Sequence, residues 1–143
     1  MSIYHNILVA IDISNEAEIV LSRSLALAKV FDAKLTLTHI VEPVVTESDY
    51  SLNPTINLDL EPVLVERAND FLRQMTAKKH VDDVKTIVTV GSPKHEIHRI
   101  CQEKNCDLVI VGTHGRHGFS LLLGNTANAV LHGTKCDVLA VKV

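Results

Sequence analysis

The segment Gly112-Thr113-His114-Gly115-Arg116-His117-Gly118 crowds three glycines behind a short apolar run, and Gly124-Asn125-Thr126 follows at a predicted helix start. Glycines let backbone N–H groups approach an anion closely, and a helix N-terminus adds unpaired N–H groups and a partial positive charge. The anion such a loop suits is a phosphate. His114 lies inside the loop, Arg116 can add a fork of donors, and the Asn125 and Thr126 side chains can add hydrogen bonds. The alternative is that these glycines only permit tight turns, with Gly124 positioning a helix. The pattern is neither GxxxxGK[ST] nor GxGxxG, so it supports no standard kinase or dinucleotide chemistry.

Asp12, at the end of the first apolar run, can accept hydrogen bonds from ribose hydroxyls or help hold a metal near phosphates; its alternative role is a helix cap or turn. Ile40 ends a second strand-like run, where it can pack on a base and offer backbone groups, or serve the core. The eight histidines place His95 and His98 one helical turn apart and His114 near His117. No Cys or acid cluster is spaced to complete either pair into the three or four ligands a zinc site needs. His39 reads as an interior histidine. Ser120 lacks a GxSxG elbow, so no hydrolase triad is supported. The three cysteines, Cys101, Cys106 and Cys136, follow no CxxC spacing and read as small buried hydrophobes of a reducing compartment.

These residues need elements to position them. Ile7-Leu8-Val9-Ala10-Ile11 is an unbroken apolar run with β-branched members, the mark of a strand buried on both faces. Ala17, Val20, Leu21, Leu25, Ala28 and Phe31 recur at helical spacing, with Ser14 or Asn15 as cap and Glu18 completing a capping box from Asn15. A second strand spans Leu35 to Ile40. The stretch from Val41 to about Leu58 is polar and aperiodic, which predicts a long loop, mobile without ligand. Leu60, Leu64, Phe71, Leu72 and Met75 outline a second helix, capped by Asp59 with Pro62 in its first turn.

A third strand near Val84 to Val90 ends at Gly91-Ser92-Pro93, where Ser caps and Pro begins a helix through Ile97, Ile100 and Cys101. Leu108 to Val111 is a fourth strand, Asn125 to Leu131 a last helix stopped by Gly133, and Val138 to Val141 a fifth strand. The alternation predicts one α/β domain over 1–143, a doubly wound five-stranded parallel sheet in the order 3-2-1-4-5 with helices on both faces. Ligands of such sheets sit at the carboxyl ends of the strands where the order reverses, here between the loops after Ile11 and Val111.

Composition narrows the partners. With 143 residues, a net charge of -3, no Trp and 3% aromatics, the chain has neither bulk basicity nor stacking platforms for nucleic acid. The N-terminal residues lack the pattern of a signal peptide, and no apolar run approaches the roughly 20 residues of a membrane span. The expected location is the cytoplasm.

In order along the chain, Ile7 to Ser14, Gly91-Ser92-Pro93 through Ile97, and Gly112 to Asn125 resemble the universal stress proteins: an opening strand with its Asp, a G-x-P-x-x-x-I element, and a G-x-x-G, spacer, G-[ST] loop. The resemblance covers nearly the whole length. It implies homodimers paired through the last strand, Val138 to Val141, and, in one branch of the family, binding of ATP or AMP, which Mg2+ can accompany. In that branch the residues matching Ala10, Ile11 and Asp12 line base and ribose, and the one matching Ile40 contacts adenine. Those matching Val111, Gly112, Gly115, Gly124, Asn125 and Thr126 surround ribose and phosphates. The spacer between Gly115 and Gly124 is one residue shorter than the family pattern, and Asn125 stands where Ser or Thr is usual, which implies an altered phosphate preference.

The expected function is an adenine-nucleotide-binding sensor or regulator with little or no turnover, because no general base is placed to face the phosphates. Two alternatives stand beside it. One is a nucleotide-free dimeric interaction protein recruiting partners through the segment from Val41 to Leu58, and the other is a slow ATP hydrolase using Asp12 and a metal.

Overall fold

The computed structural model describes residues 2–43, 54–113, 130 and 132–143, with backbone alone for 54–59. Strands β1 (Asn6–Ala10), β2 (Lys34–Val41), β3 (Lys85–Val90), β4 (Leu108–Gly112) and β5 (Asp137–Val141) form one parallel sheet in the order β3-β2-β1-β4-β5. Helices α1 (Ala17–Phe31), α2 (Pro54–Lys78) and α3 (Pro93–Glu103) alternate with them. Val130, His132 and Gly133 are helical and lead into β5.

Side chains along a strand point alternately to opposite faces, so the apolar run of β1 feeds two cores. Ile7 and Val9 join Val20, Leu21, Leu37, Leu72 and Ile110 on the face covered by α1 and α2. Leu8 joins Ile97, Ile100, Val109 and Val130 on the face covered by α3 and the last helical turn. This is the doubly wound arrangement that the alternation of apolar segments predicts. β1 and β4 are also tied at the foot of the sheet by Asp107, whose carboxylate accepts the His5 and Asn6 backbone N–H groups at 2.7 and 3.0 Å.

Three local expectations are corrected. The α1 capping box does not form: the helix begins after Glu16 without a side-chain cap, and Glu18 instead meets Lys78 and Lys79 at 3.2 and 3.3 Å. Two ammonium groups at the end of α2 outcompete one backbone N–H for that carboxylate. Ser92 adopts the extended conformation of a cap residue, but its side chain makes no capping bond. The second helix starts at Pro54 rather than after Asp59, so Pro54 to Leu58 are helical and Pro62 lies within the helix. Pro54 takes the first-turn position that suits proline. Pro62 sits on an exposed stretch with Leu60 and Val63, where water can satisfy the carbonyl its ring deprives of a donor. Of the expected loop, residues 44–53 lie outside the described residues.

Helices α1, α2 and α3 stop the same way, with a residue other than glycine in the left-handed region: Asp32, His80 and Asn105, at φ 51°, 54° and 51°. At each stop two backbone bonds turn back onto the last helical turn: Ala33 and Asp32 donate to Ala28 and Lys29, Val81 and His80 to Thr76 and Ala77, Cys106 and Asn105 to Cys101 and Gln102. This double bond pattern is the Schellman stop, and it sets the two residues of its longer bond side by side.

Candidate functional site

β1 lies between β2 and β4, and the chain leaves it toward β2 first and reaches β4 only after β3. The connections therefore diverge at the carboxyl ends of β1 and β4, the place where a sheet of this kind opens a ligand crevice. Ala10 is half-buried and aligned with Thr38 on one side and Val111 on the other. Ile11 is buried and donates its N–H to the Thr38 carbonyl at 3.0 Å. Asp12 follows, half-buried, at the mouth.

Val111 is buried and Gly112 half-buried, the latter aligned with Val141 on β5. The Thr113 N–H then reaches the Val141 carbonyl at 2.9 Å, and its Oγ1 accepts the Val143 N–H at 3.0 Å. These bonds fasten the point from which the glycine-rich segment departs. The structure thus brings together Ala10, Ile11, Asp12, Val111 and Gly112 on adjoining strand ends. His114, Gly115, Arg116, Gly124, Asn125 and Thr126 lie outside the described residues.

The Ile40 side chain is spoken for by the core on the α3 side, at 9% exposure, so its backbone is what it offers the crevice. Sequence reasoning gave His39 only an interior role, and its part at the site was missed. Its buried ring engages the Ile11 carbonyl through Nδ1 at 2.8 Å, fixing the peptide just before Asp12. His39, Ile13, Val41, Leu64 and Arg67 line a cleft of about 270 Å³ beside that peptide. Among the described residues Arg67 is its cationic lining group, beside the apolar side chains of Ile13, Val41 and Leu64. Among the described residues no group of His, Cys, Asp and Glu side chains converges as metal ligands, and no helix is long and apolar enough to cross a membrane.

Beside the crevice, β2 and β3 end together through the Gly91 N–H and the Val41 carbonyl, 3.0 Å apart. Gly91 takes φ +153°, and a Cβ there would meet Glu96 Cγ at 3.0 Å. Glu96 is held by Arg99 Nη2 and Nε at 2.6 and 3.0 Å, and this hydrogen bonding lowers its pKa despite the opposing effect of burial. A lowered folded-state pKa adds stability above the ordinary glutamate range that is lost as pH falls through the lowered value. Urea unfolding across pH should therefore show Glu96→Gln less stable than the parent at pH 7, with the gap closing below about pH 4. A gap that stays constant would contradict the pairing.

A universal stress protein A homolog 2 of Coxiella burnetii is 38% identical over 146 aligned positions, covering 100% of this chain and 98% of that protein. The fold matches the structure of universal stress protein UspA from Lactobacillus plantarum, with TM-score 0.82, 24% identity and coverage of 96% and 97% of the two chains. It also matches a universal stress protein crystallised in complex with cAMP, with TM-score 0.62, 24% identity and 96% of each chain covered. With its opening strand, G-x-P element and strand order all in place, and the universal stress protein family model matching residues 3–142, the chain belongs to that family.

Proposed function

We propose that this protein binds an adenine nucleotide, ATP or AMP, in the crevice between the ends of β1 and β4, and acts as a sensor or regulator with little or no turnover. The observation that carries the reading is the adjacency of Ala10-Ile11-Asp12 and Val111-Gly112 at the one place where the strand order reverses. The described residues fit such a ligand. A small Ala10 and a side-chain-free Gly112 leave room at the rim, Asp12 supplies acceptors for ribose hydroxyls, and the cleft by His39 offers Ile13, Val41 and Leu64 beside Arg67. The Ile40 backbone supplies polar groups for a base. The segment from His114 to Thr126 would supply phosphate-binding N–H groups, with Mg2+ accompanying the phosphates. The fold relative bound to cAMP carries the same adenine, ribose and phosphate chemistry.

Thermal-shift titration with ATP, AMP and cAMP tests the reading. A saturable rise in Tm with ATP or AMP, absent with GTP, is expected, since a ligand that binds only the folded state stabilises it by mass action. No shift with any adenine nucleotide would contradict it.

A second reading, an interaction surface on the first turns of α2, is favoured by the exposure there of Leu60 (46%) and Val63 (58%). Association through β5 is proposed alongside. Among the described strands β5 is an edge of the sheet, its Val138 to Val141 segment carries no charge, and Leu139 and Ala140 are exposed. An uncovered apolar edge is open to pairing with another chain. Sedimentation at micromolar concentration should show dimers that Leu139→Lys converts to monomers; a monomeric parent would refute this.

A further inference from the structure

At the foot of the sheet, away from the nucleotide crevice, the third helix stop differs chemically from the other two. The Schellman bonds pair Ala28 with Ala33 at the end of α1 and Thr76 with Val81 at the end of α2, but Cys101 with Cys106 at the end of α3. The Cys106 N–H donates to the Cys101 carbonyl at 2.9 Å. So short a backbone link brings the two Cα atoms into the separations a disulfide spans, about 4.4 to 6.8 Å. Both thiols are free.

The two sulfurs are unequally exposed. Cys101 is buried in the α3-side core, whereas Cys106 is half-buried and packs against that core from outside. Cys106 lines an open cleft of about 580 Å³ together with Tyr4, His98, Lys135 and Cys136. His98, whose buried Nδ1 has no hydrogen-bond partner among the described residues, belongs to the same wall. Cys101 also borders this cleft but is only 6% exposed, so Cys106 and Cys136 are the more accessible thiols and Cys101 is the one behind them.

We propose that Cys106 and Cys101 are a hydroperoxide-responsive dithiol, in which Cys106 is oxidised first and Cys101 closes an intrachain disulfide. The Cys106 thiolate attacks one peroxide oxygen, the O–O bond breaks, and an S–O bond forms. Sulfur is oxidised to the sulfenic acid, and the other oxygen leaves as alcohol or water after taking a proton. Cys101 sulfur then attacks Cys106 sulfur, the S–O bond breaks, and water departs carrying the Cys101 thiol proton. The sum is two thiols and one hydroperoxide giving a disulfide, an alcohol and water.

The electrostatics agree with this order. A hydrogen bond from the Cys101 thiol lowers the Cys106 pKa, outweighing burial and nearby Asp107, with Lys104 helping. Cys101 is pushed the other way, by its bond to Cys106 and by burial. Thiolate formation, which makes a cysteine reactive, is thus favoured on Cys106 over Cys101. Cys136 also lies against Cys101 and is the competing partner.

The test treats the full-length chain with hydrogen peroxide, blocks remaining thiols with a maleimide and maps tryptic peptides by mass. Lys104 separates the two cysteines, so a disulfide appears as peptide 100–104 linked to peptide 105–116. Free thiols should fall from three to one, and a dithiol reductant should restore them. In Cys101→Ser the sulfenic acid at Cys106 should persist and be captured by dimedone, while Cys136→Ser should behave as the parent. Before oxidation, Cys106 should alkylate several-fold faster than Cys101. A linkage to Cys136, exclusively intermolecular disulfides, or equal oxidation of all three thiols would overturn the proposal. The parent's peptide map decides between these outcomes even where a variant fails to fold.

Discussion

Replacing Gly115 or Gly124 with Val is expected to lower ATP and AMP affinity by roughly a hundredfold or more while the domain stays folded. The proposed phosphate cradle depends on backbone N–H groups that a ligand oxygen can approach, and a branched side chain at either glycine obstructs that approach. Two lost hydrogen bonds to a charged partner, at about 1.5 kcal/mol each, amount to about 3 kcal/mol, or rather more than a hundredfold in Kd. Asp12→Ala should cost less, about tenfold, because in the proposed site it would meet only the ribose hydroxyls and leave the phosphate contacts intact. Calorimetric titration of each variant, after circular dichroism melting shows that it is folded, measures the contrast. Folded glycine variants that bind like the parent would mean the loop is only a pair of tight turns.

Asp107→Ala is expected to be the most destabilising single change at the foot of the sheet. One carboxylate there accepts two backbone N–H groups from the chain entering β1, and the Asp107 N–H returns a bond to the Asn6 carbonyl at 2.9 Å. Substitution by Ala leaves two strand-end donors to water or to nothing. With one of the bonds exposed, the loss should be about 2 kcal/mol, or roughly 5 to 10 °C in Tm for a domain of this size. Asp107→Asn retains one acceptor oxygen and should fall between Ala and the parent. Nucleotide affinity should be unchanged, because this carboxylate lies at the opposite end of the strands from the crevice. A melting temperature within a degree of the parent's would show that β1 and β4 pair without it.

The order of the sheet was legible because it follows from periodicity. Segments such as Ile7 to Ile11 and Leu108 to Val111 are apolar without interruption, as only strands covered on both faces need be. The helical spacing of Val20, Leu21 and Ala28 places α1 over one of those faces. The start of α2 was misplaced because the stretch up to Leu58 is polar and aperiodic and Pro62 read as a first-turn residue, yet the helix begins at Pro54 and carries Pro62 in its interior. Helix stops at Asp32, His80 and Asn105 carry no glycine signal, so their shared geometry emerged only from the backbone.

At the candidate site, the positions of Ala10, Ile11, Asp12, Val111 and Gly112 followed from strand order alone. The bond from His39 to the Ile11 carbonyl did not, because it joins residues 28 apart that meet only once β1 and β2 have paired. The convergence of Cys101, Cys106 and Cys136 was hidden for the same reason. Spacing along the chain says nothing about thiols gathered by a helix stop and a neighbouring strand.

The most direct measurement of the central claim is the identity and amount of small molecule released when the purified protein is denatured, read by mass spectrometry and completed by titration of the emptied chain. An adenine nucleotide approaching equimolar amounts, or stoichiometric rebinding of ATP or AMP by the emptied protein, is the expected result. A chain that releases no nucleotide and gives neither heat nor thermal shift with ATP or AMP would contradict it.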